Sequence, residues 1–185
     1  KLDSDQSPIN PGSTAHAADG ITWTWKDMSD NEDGFNVYAD AGEGPPSTLR
    51  TTTAANAESW RWDGLSANTP YAFQVAAAMG LCETGRTANY SAYTLIEEVE
   101  DLDFPTVTDA SISVVATNTP SNLSSGQSGI YFWNSTTSAN SGWQTGNTPW
   151  ICEGLAPNTR YTFAGKTRNG DGVETMAIIA RKYTL

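Results

Sequence analysis

One histidine, two cysteines, two acidic stretches and a pair of tryptophans are the residues whose types and spacing bear on chemistry. His16 stands among Ala and Thr, with no second histidine, no nearby cysteine and no nucleophile beside it. Proton transfer and metal binding both need partners, so it is expected to be an ordinary strand or loop residue. Ser29, Asn31, Asp33, Gly34 and Asp40 fall at positions one, three, five, six and twelve of a helix-loop-helix calcium template. Position one of that template wants Asp, however, position twelve wants a bidentate Glu, and the residues after Gly34 alternate like a strand. A solvated loop whose side chains cap their own turns is expected, with an irregular calcium site as the alternative. Nothing resembles a Ser-His-Asp set, a carboxylate pair on rigid strands, a phosphate loop or zinc spacing. No catalytic, cofactor or metal residue is therefore assigned, and no enzyme is expected.

The second acidic stretch, Ile96 to Pro105, holds five acids in ten residues with apolar residues interleaved. Like charges resist collapse, so an extended charged connection is expected, with a bridging calcium ion as the alternative. In Ile130-Tyr131-Phe132-Trp133, alternation puts Ile130 and Phe132 inward and leaves Trp133 outward. Trp143 follows close by in sequence. Flat aromatic faces stack on sugar rings, so Trp133 and Trp143 are the candidate ligand platform; the alternative is that Trp143 folds over Trp133 from a neighbouring edge strand.

The elements that position these residues come from a repeat. Gly64-Leu65-Ser66-Ala67-Asn68-Thr69-Pro70-Tyr71-Ala72-Phe73 returns ninety residues later as Gly154-Leu155-Ala156-Pro157-Asn158-Thr159-Arg160-Tyr161-Thr162-Phe163. Trp60 maps to Trp150 and Tyr93-Thr94-Leu95 to Tyr183-Thr184-Leu185 by the same offset. Mechanically, Leu65 and Leu155 plug a core at a strand end, Asn-Thr turns a corner, and Tyr-x-Phe opens the next strand with both rings on one face. Two domains are expected, 1–95 and 96–185, in what is expected to be a piece of a longer chain. Ile21-Thr22-Trp23-Thr24-Trp25 alternates strictly, with Trp25 inward, and Ala116 stands in its place in the second copy, where Phe132 and Trp150 are the candidates to fill the volume.

The Gly-Leu-x-x-Asn-Thr-x-Tyr-x-Phe corner, together with Trp25 and the run from Trp25 through Asn31-Glu32-Asp33-Gly34-Phe35 to Tyr38, resembles fibronectin type III domains, in particular those of bacterial secreted or cell-surface modular proteins. The resemblance implies an all-β fold of two immunoglobulin-like antiparallel sandwiches in tandem. It further implies that Tyr71 and Tyr161 return their hydroxyls to backbone at the corner. Modules of this kind are usually non-catalytic spacers. Polysaccharide binding, adhesion to another surface protein, or service as accessory domains of a secreted enzyme are the alternatives. Neither loop that could carry an adhesive Arg-Gly-Asp contains it: they read Gly80-Leu81-Cys82-Glu83-Thr84-Gly85-Arg86 and Arg168-Asn169-Gly170-Asp171-Gly172.

Composition agrees. A hydrophobic fraction of 38%, a charged fraction of 17%, seven Trp and seven Tyr make a β-rich globular profile. A net charge of -11, with ten Lys and Arg scattered along the chain, excludes the clustered basic face that nucleic acid or an anionic membrane requires. No apolar window reaches membrane-span length. The expected partners are neighbouring domains of the same longer chain, the expected location is extracellular, and a monomer is expected. Cys82 and Cys152 fall one to each copy at non-equivalent positions, so two free thiols are expected, Cys152 buried and Cys82 at least partly exposed. Asn89, Asn122 and Asn134 head glycosylation sequons that matter only in a glycosylating source.

Overall fold

The computed structural model describes residues 2, 6–14 and 16–185, so part of the polar stretch 1–12, expected as a tail or ragged strand end, lies outside the described residues. The chain divides into two compact units, Lys1–Thr94 and Leu95–Leu185. Every strand pairing in both is antiparallel.

The first unit contains β1 (Ile9–Thr14), β2 (Gly20–Lys26), β3 (Gly34–Ala41), β4 (Leu49–Thr52), β5 (Ser59–Asp63), β6 (Pro70–Met79), β7 (Cys82–Glu83) and β8 (Tyr90–Tyr93). One sheet runs β1-β2-β5 and the other β4-β3-β6, with β7 and β8 both pairing β6. Period-two alternation decides which side chains meet: Ile21, Trp23 and Trp25 from one sheet face Phe35, Val37, Phe73 and Val75 from the other, all buried. Trp23 stacks on Phe73 at 4.7 Å between ring centroids. Trp62 meets Tyr71 edge-on at 5.2 Å. The final strand spans Tyr90–Tyr93; ahead of it Thr87 continues the edge, its N–H donating to the Val75 carbonyl at 2.9 Å and its hydroxyl accepting the Val75 N–H at 3.1 Å. The loop from Met79 to Gly85 begins as a tight hairpin in which Met79 pairs with Cys82 and Gly80 takes φ 60°.

The second unit contains β9 (Leu102–Asp103), β10 (Ser111–Ala116), β11 (Gly129–Asn134), β12 (Asn140–Gln144), β13 (Trp150–Glu153), β14 (Arg160–Arg168) and β15 (Ile178–Tyr183). Its sheets run β13-β10-β9 and β12-β11-β14-β15. Strand register aligns the two units residue by residue, since Trp23 faces Trp60 as Val114 faces Trp150, and Ile21 faces Trp62 as Ile112 faces Cys152. Both inward tryptophans of β2 are thus replaced, Trp23 by Val114 and Trp25 by Ala116. The volume is recovered from several directions. Phe132 opposes Gly165 where Val37 opposes Val75, so one large and one absent side chain stand in for two medium ones. A methyl group on Gly165 would come within 2.9 Å of Leu102 Cδ2 and 3.1 Å of Phe132 Cδ1, which is why glycine occupies this strand interior. Trp150 lies edge-on to Phe163 at 6.3 Å, Phe104 lies 5.6 Å from Phe163, and Leu123 folds in from the loop.

The acidic stretch 96–105 is corrected by the structure: it belongs to the fold of the second unit and is not a linker. Ile96, Val99 and Leu102 are buried in its core. The charges between them turn outward, except that Glu97 is half-buried, its carboxylate accepting from the Ser121 N–H at 2.9 Å and the Ser121 hydroxyl at 2.6 Å. Burial pushes the Glu97 pKa up, but the Ser121 bonds outweigh it and hold the group below the ordinary carboxylate range. The backbone here is satisfied by side chains: Asn118 donates to the Glu98 carbonyl at 2.8 Å and accepts the Glu100 N–H at 3.0 Å, while the Thr167 hydroxyl donates to the Glu97 carbonyl at 2.8 Å. The long Ser- and Asn-rich loop after β10 is what straps this segment down.

The repeated corners have one construction in both units. Gly64 and Gly154 take φ 76° and 72°, Asn68 and Asn158 take 45° and 46°, left-handed positions that glycine and asparagine tolerate best. The Tyr71 hydroxyl accepts the Ser66 N–H at 3.0 Å, and the Tyr161 hydroxyl accepts the Ala156 N–H at 2.8 Å. Thr94 accepts the Thr69 N–H at 3.0 Å while donating to the Ser66 carbonyl at 2.7 Å, and Thr184 repeats this with Thr159 and Ala156 at 2.9 and 2.7 Å. The recurrence of Tyr-Thr-Leu is explained by that threonine. Tyr71→Phe and Tyr161→Phe are each expected to cost about 1 kcal/mol, rising towards 3 where the N–H is left unpaired. Denaturant midpoints check this, and no shift in either variant would remove the hydroxyl from the corner's energetics.

Candidate functional site

Trp133 sits on β11, whose regular alternation turns it and Tyr131 to the outer face of the four-stranded sheet of the second unit. Trp143 reaches the same face by a different route. Tyr131 pairs with Trp143 and Trp133 with Asn140, so one residue of β11, Phe132, opposes two of β12, Ser141 and Gly142. This is a β-bulge, and Gly142, at φ 65°, supplies its left-handed residue. Without it, Asn140 and Trp143 would face opposite sides. The Ser141 hydroxyl accepts the Phe132 N–H at 2.9 Å and so closes the gap in the ladder. Gly129 lets β12 approach closely here, since a methyl group there would come within 3.0 Å of the Gln144 carbonyl oxygen, next to Trp143.

The rings form a tilted cluster. Tyr131 stands between the tryptophans, 5.8 Å from Trp133 and 5.2 Å from Trp143, with interplanar angles of 42° and 44°. Trp143 therefore packs on Tyr131, its cross-strand partner, and does not fold over Trp133 as the sequence alternative had it. Tyr131 was not singled out from the sequence, although its spacing of two from Trp133 put it on the same face. Lys166 Nζ lies 5.9, 5.8 and 5.7 Å from the ring centroids of Tyr131, Trp133 and Trp143, and it is ion-paired with Glu174. Arg168 covers Trp143 at 4.3 Å. A shallow depression of about 400 Å³ opens beside this cluster, lined by Tyr131, Trp133, Ser135, Ser138 and Lys166. Trp133 lines it; Trp143 does not, and reaches it only through its contact with Tyr131.

The equivalent surface of the first unit is closed. Tyr38 occupies the position of Trp133, and Arg86 lies 3.3 Å above its ring while Glu83 accepts its hydroxyl at 2.8 Å. Burial and the Glu83 carboxylate hold the Tyr38 phenol above its ordinary range.

The remaining candidates are occupied by the chain itself. His16 contacts the Tyr93 carbonyl through Nδ1 at 3.0 Å and the Ser13 hydroxyl through Nε2 at 2.9 Å, tying the segment after β1 to β8. Asp40 lies on β3, where its carboxylate accepts from the Ser47 and Thr48 N–H groups at 2.8 and 3.1 Å and from Arg50 at 3.0 Å. The Thr48 hydroxyl, with these donors, pulls its pKa down to about 2. Asp33 accepts the Gly80 N–H at 2.8 Å, and buried Glu32 accepts that of Asn56 at 2.8 Å. Cys152 is buried and Cys82 exposed, both free. Asn134 of the third sequon is fully buried, its amide directed at Cys152 Sγ at 3.5 Å, which leaves a glycan no access.

No protein-family model and no curated protein matches the sequence. Among solved structures, a two-domain fibronectin type III segment from chicken tenascin aligns at TM-score 0.67 and 15% identity, covering 96% of this chain and 99% of that one. The FN1–FN3 domains of chicken CNTN1 align at TM-score 0.42 and 13% identity, covering 96% of this chain and 67% of that one. At such identity the tenascin likeness speaks to architecture alone: the chain has the fold of two fibronectin type III domains in tandem.

Proposed function

We propose that the chain is a non-catalytic structural segment of a larger extracellular modular protein, monomeric in itself, whose partners are neighbouring domains of the same polypeptide. The observation that supports this most is where the reactive side chains go. His16, Glu32, Asp33, Asp40, Thr94 and Thr184 are all spent on the chain's own backbone and turns, and none is aimed into a cavity. Isolating the native protein from its source tests the reading. Recovery outside the cell, at a mass well above 19.8 kDa, is expected; a 19.8 kDa cytosolic product would overturn it. A second reading, contact with polysaccharide or another surface molecule, is supported by one observation, the open aromatic depression of the second unit beside the closed counterpart of the first.

A further inference from the structure

We propose that the depression beside Trp133 is a binding site for a single chain of a neutral polysaccharide built from pyranose rings with equatorial hydroxyls. This rests on the contact reading above and names its ligand.

A pyranose with equatorial hydroxyls directs its polar groups around the rim and leaves its C–H faces apolar, so it pairs with a flat indole while its rim seeks hydrogen bonds. Both halves of that requirement are present. Trp133 offers the ring, and beside it stand the exposed Ser138 hydroxyl, the exposed Ser135 hydroxyl, which donates to the Thr162 carbonyl at 3.1 Å and keeps its acceptor side, and the Lys166 ammonium, a donor held by Glu174. The volume of about 400 Å³ falls within the range of small-ligand sites and suits one or two sugar rings.

The angles select the physical form of the ligand. Trp133 and Trp143 are inclined at 42° and 44° to Tyr131, so the rings do not form a flat strip, whereas the flat surface of a crystalline polysaccharide demands coplanar rings. A free chain is therefore the occupant. Charge selects its chemistry. The Lys166 ammonium is already paired with Glu174, Arg168 lies against Trp143 outside the lining of the depression, and the chain carries a net charge of -11, so a polyanion finds no unpaired cation in the depression itself and meets general repulsion. A neutral chain meets neither obstacle. The first unit supplies the contrast: its corresponding ring, Tyr38, is already covered by Arg86 and bonded to Glu83.

Affinity electrophoresis of the whole protein through gels containing hydroxyethylcellulose, xylan or polygalacturonate, with cellohexaose titrated by tryptophan fluorescence, tests the proposal. Retardation by a neutral gel and a fluorescence change with cellohexaose are expected. Trp133→Ala should weaken binding about tenfold or more, as loss of a central aromatic contact does. Trp133→Tyr should restore part of it, and Tyr38→Ala should leave it unchanged. Near-UV circular dichroism separates loss of the site from loss of the fold. Retardation by polygalacturonate alone, binding that survives Trp133→Ala in a folded variant, or no response of the unaltered protein to any neutral probe would each overturn the proposal. None of these outcomes bears on the size or location of the native parent protein, so the structural-segment reading stands or falls separately.

Discussion

Replacing Trp23 by alanine is expected to cost the first unit about 3–5 kcal/mol. Trp23 is fully buried on β2, stacked on Phe73, and opposed across the strand pair by Trp60. Its removal deletes the largest fully buried side chain of the unit and leaves a cavity whose walls are the strands of both sheets, which cannot close in on it without breaking register. Domains of this size are typically stable by about 5–15 kcal/mol, so the variant is expected to sit near its folding threshold. Scanning calorimetry of the whole chain reads the effect as a drop in one transition while the other holds its midpoint. A loss below about 1 kcal/mol would mean that the core repacks around the gap.

The second large effect concerns Leu102, for which truncation to alanine is expected to cost the second unit about 2–5 kcal/mol. The side chain is buried and, with Phe132, fills the space that the missing side chain of Gly165 opens, and β9 pairs it with Ala116. Were the acidic stretch a solvated connection, the same change would have no measurable cost. Asp101→Asn, an exposed neighbour, serves as the control and should change stability by less than about 0.5 kcal/mol. Urea midpoints of the two variants distinguish the cases directly.

Trp133 and Trp143 show why some of this was legible in the sequence and some was not. Outward placement of Trp133 follows from parity alone, because β11 is regular and Ile130 and Phe132 fix its inner face. Trp143 cannot be placed that way, because the bulge at Ser141 and Gly142 resets parity, and nothing local distinguishes a bulge glycine from a turn glycine. The repeated corners were legible for the opposite reason: their hydrogen bonds join residues close in sequence, so glycine, asparagine and tyrosine appear at fixed offsets. Ile96, Val99 and Leu102 recur every third residue, a spacing that departs from the period of two of a strand, and the interleaved acids suggested solvent exposure. Their partners, Asn118, Ser121 and Thr167, lie in a loop and on a strand that carry no matching signature. The exchange of two valines for Phe132 and Gly165 is likewise visible only once register aligns the units.

The irregular pairings of the outer strands bear on how such a chain survives at high concentration. A sheet border offers unpaired N–H and C=O groups to any other strand, and a tandem of like domains always has a similar strand nearby. Here β1, β4 and β12 all break register against their neighbours, between Ile9 and Gly12, opposite Val37 and Tyr38, and opposite Tyr131 and Trp133. Pro11 adds a position in β1 with no N–H to offer. A docking strand could follow such a border for only two or three residues before losing step. The bulge that aims Trp143 outward therefore also blunts the border of its sheet against templated aggregation and domain swapping, so that removing Gly142 would expose the protein to self-association as well as to loss of the aromatic cluster.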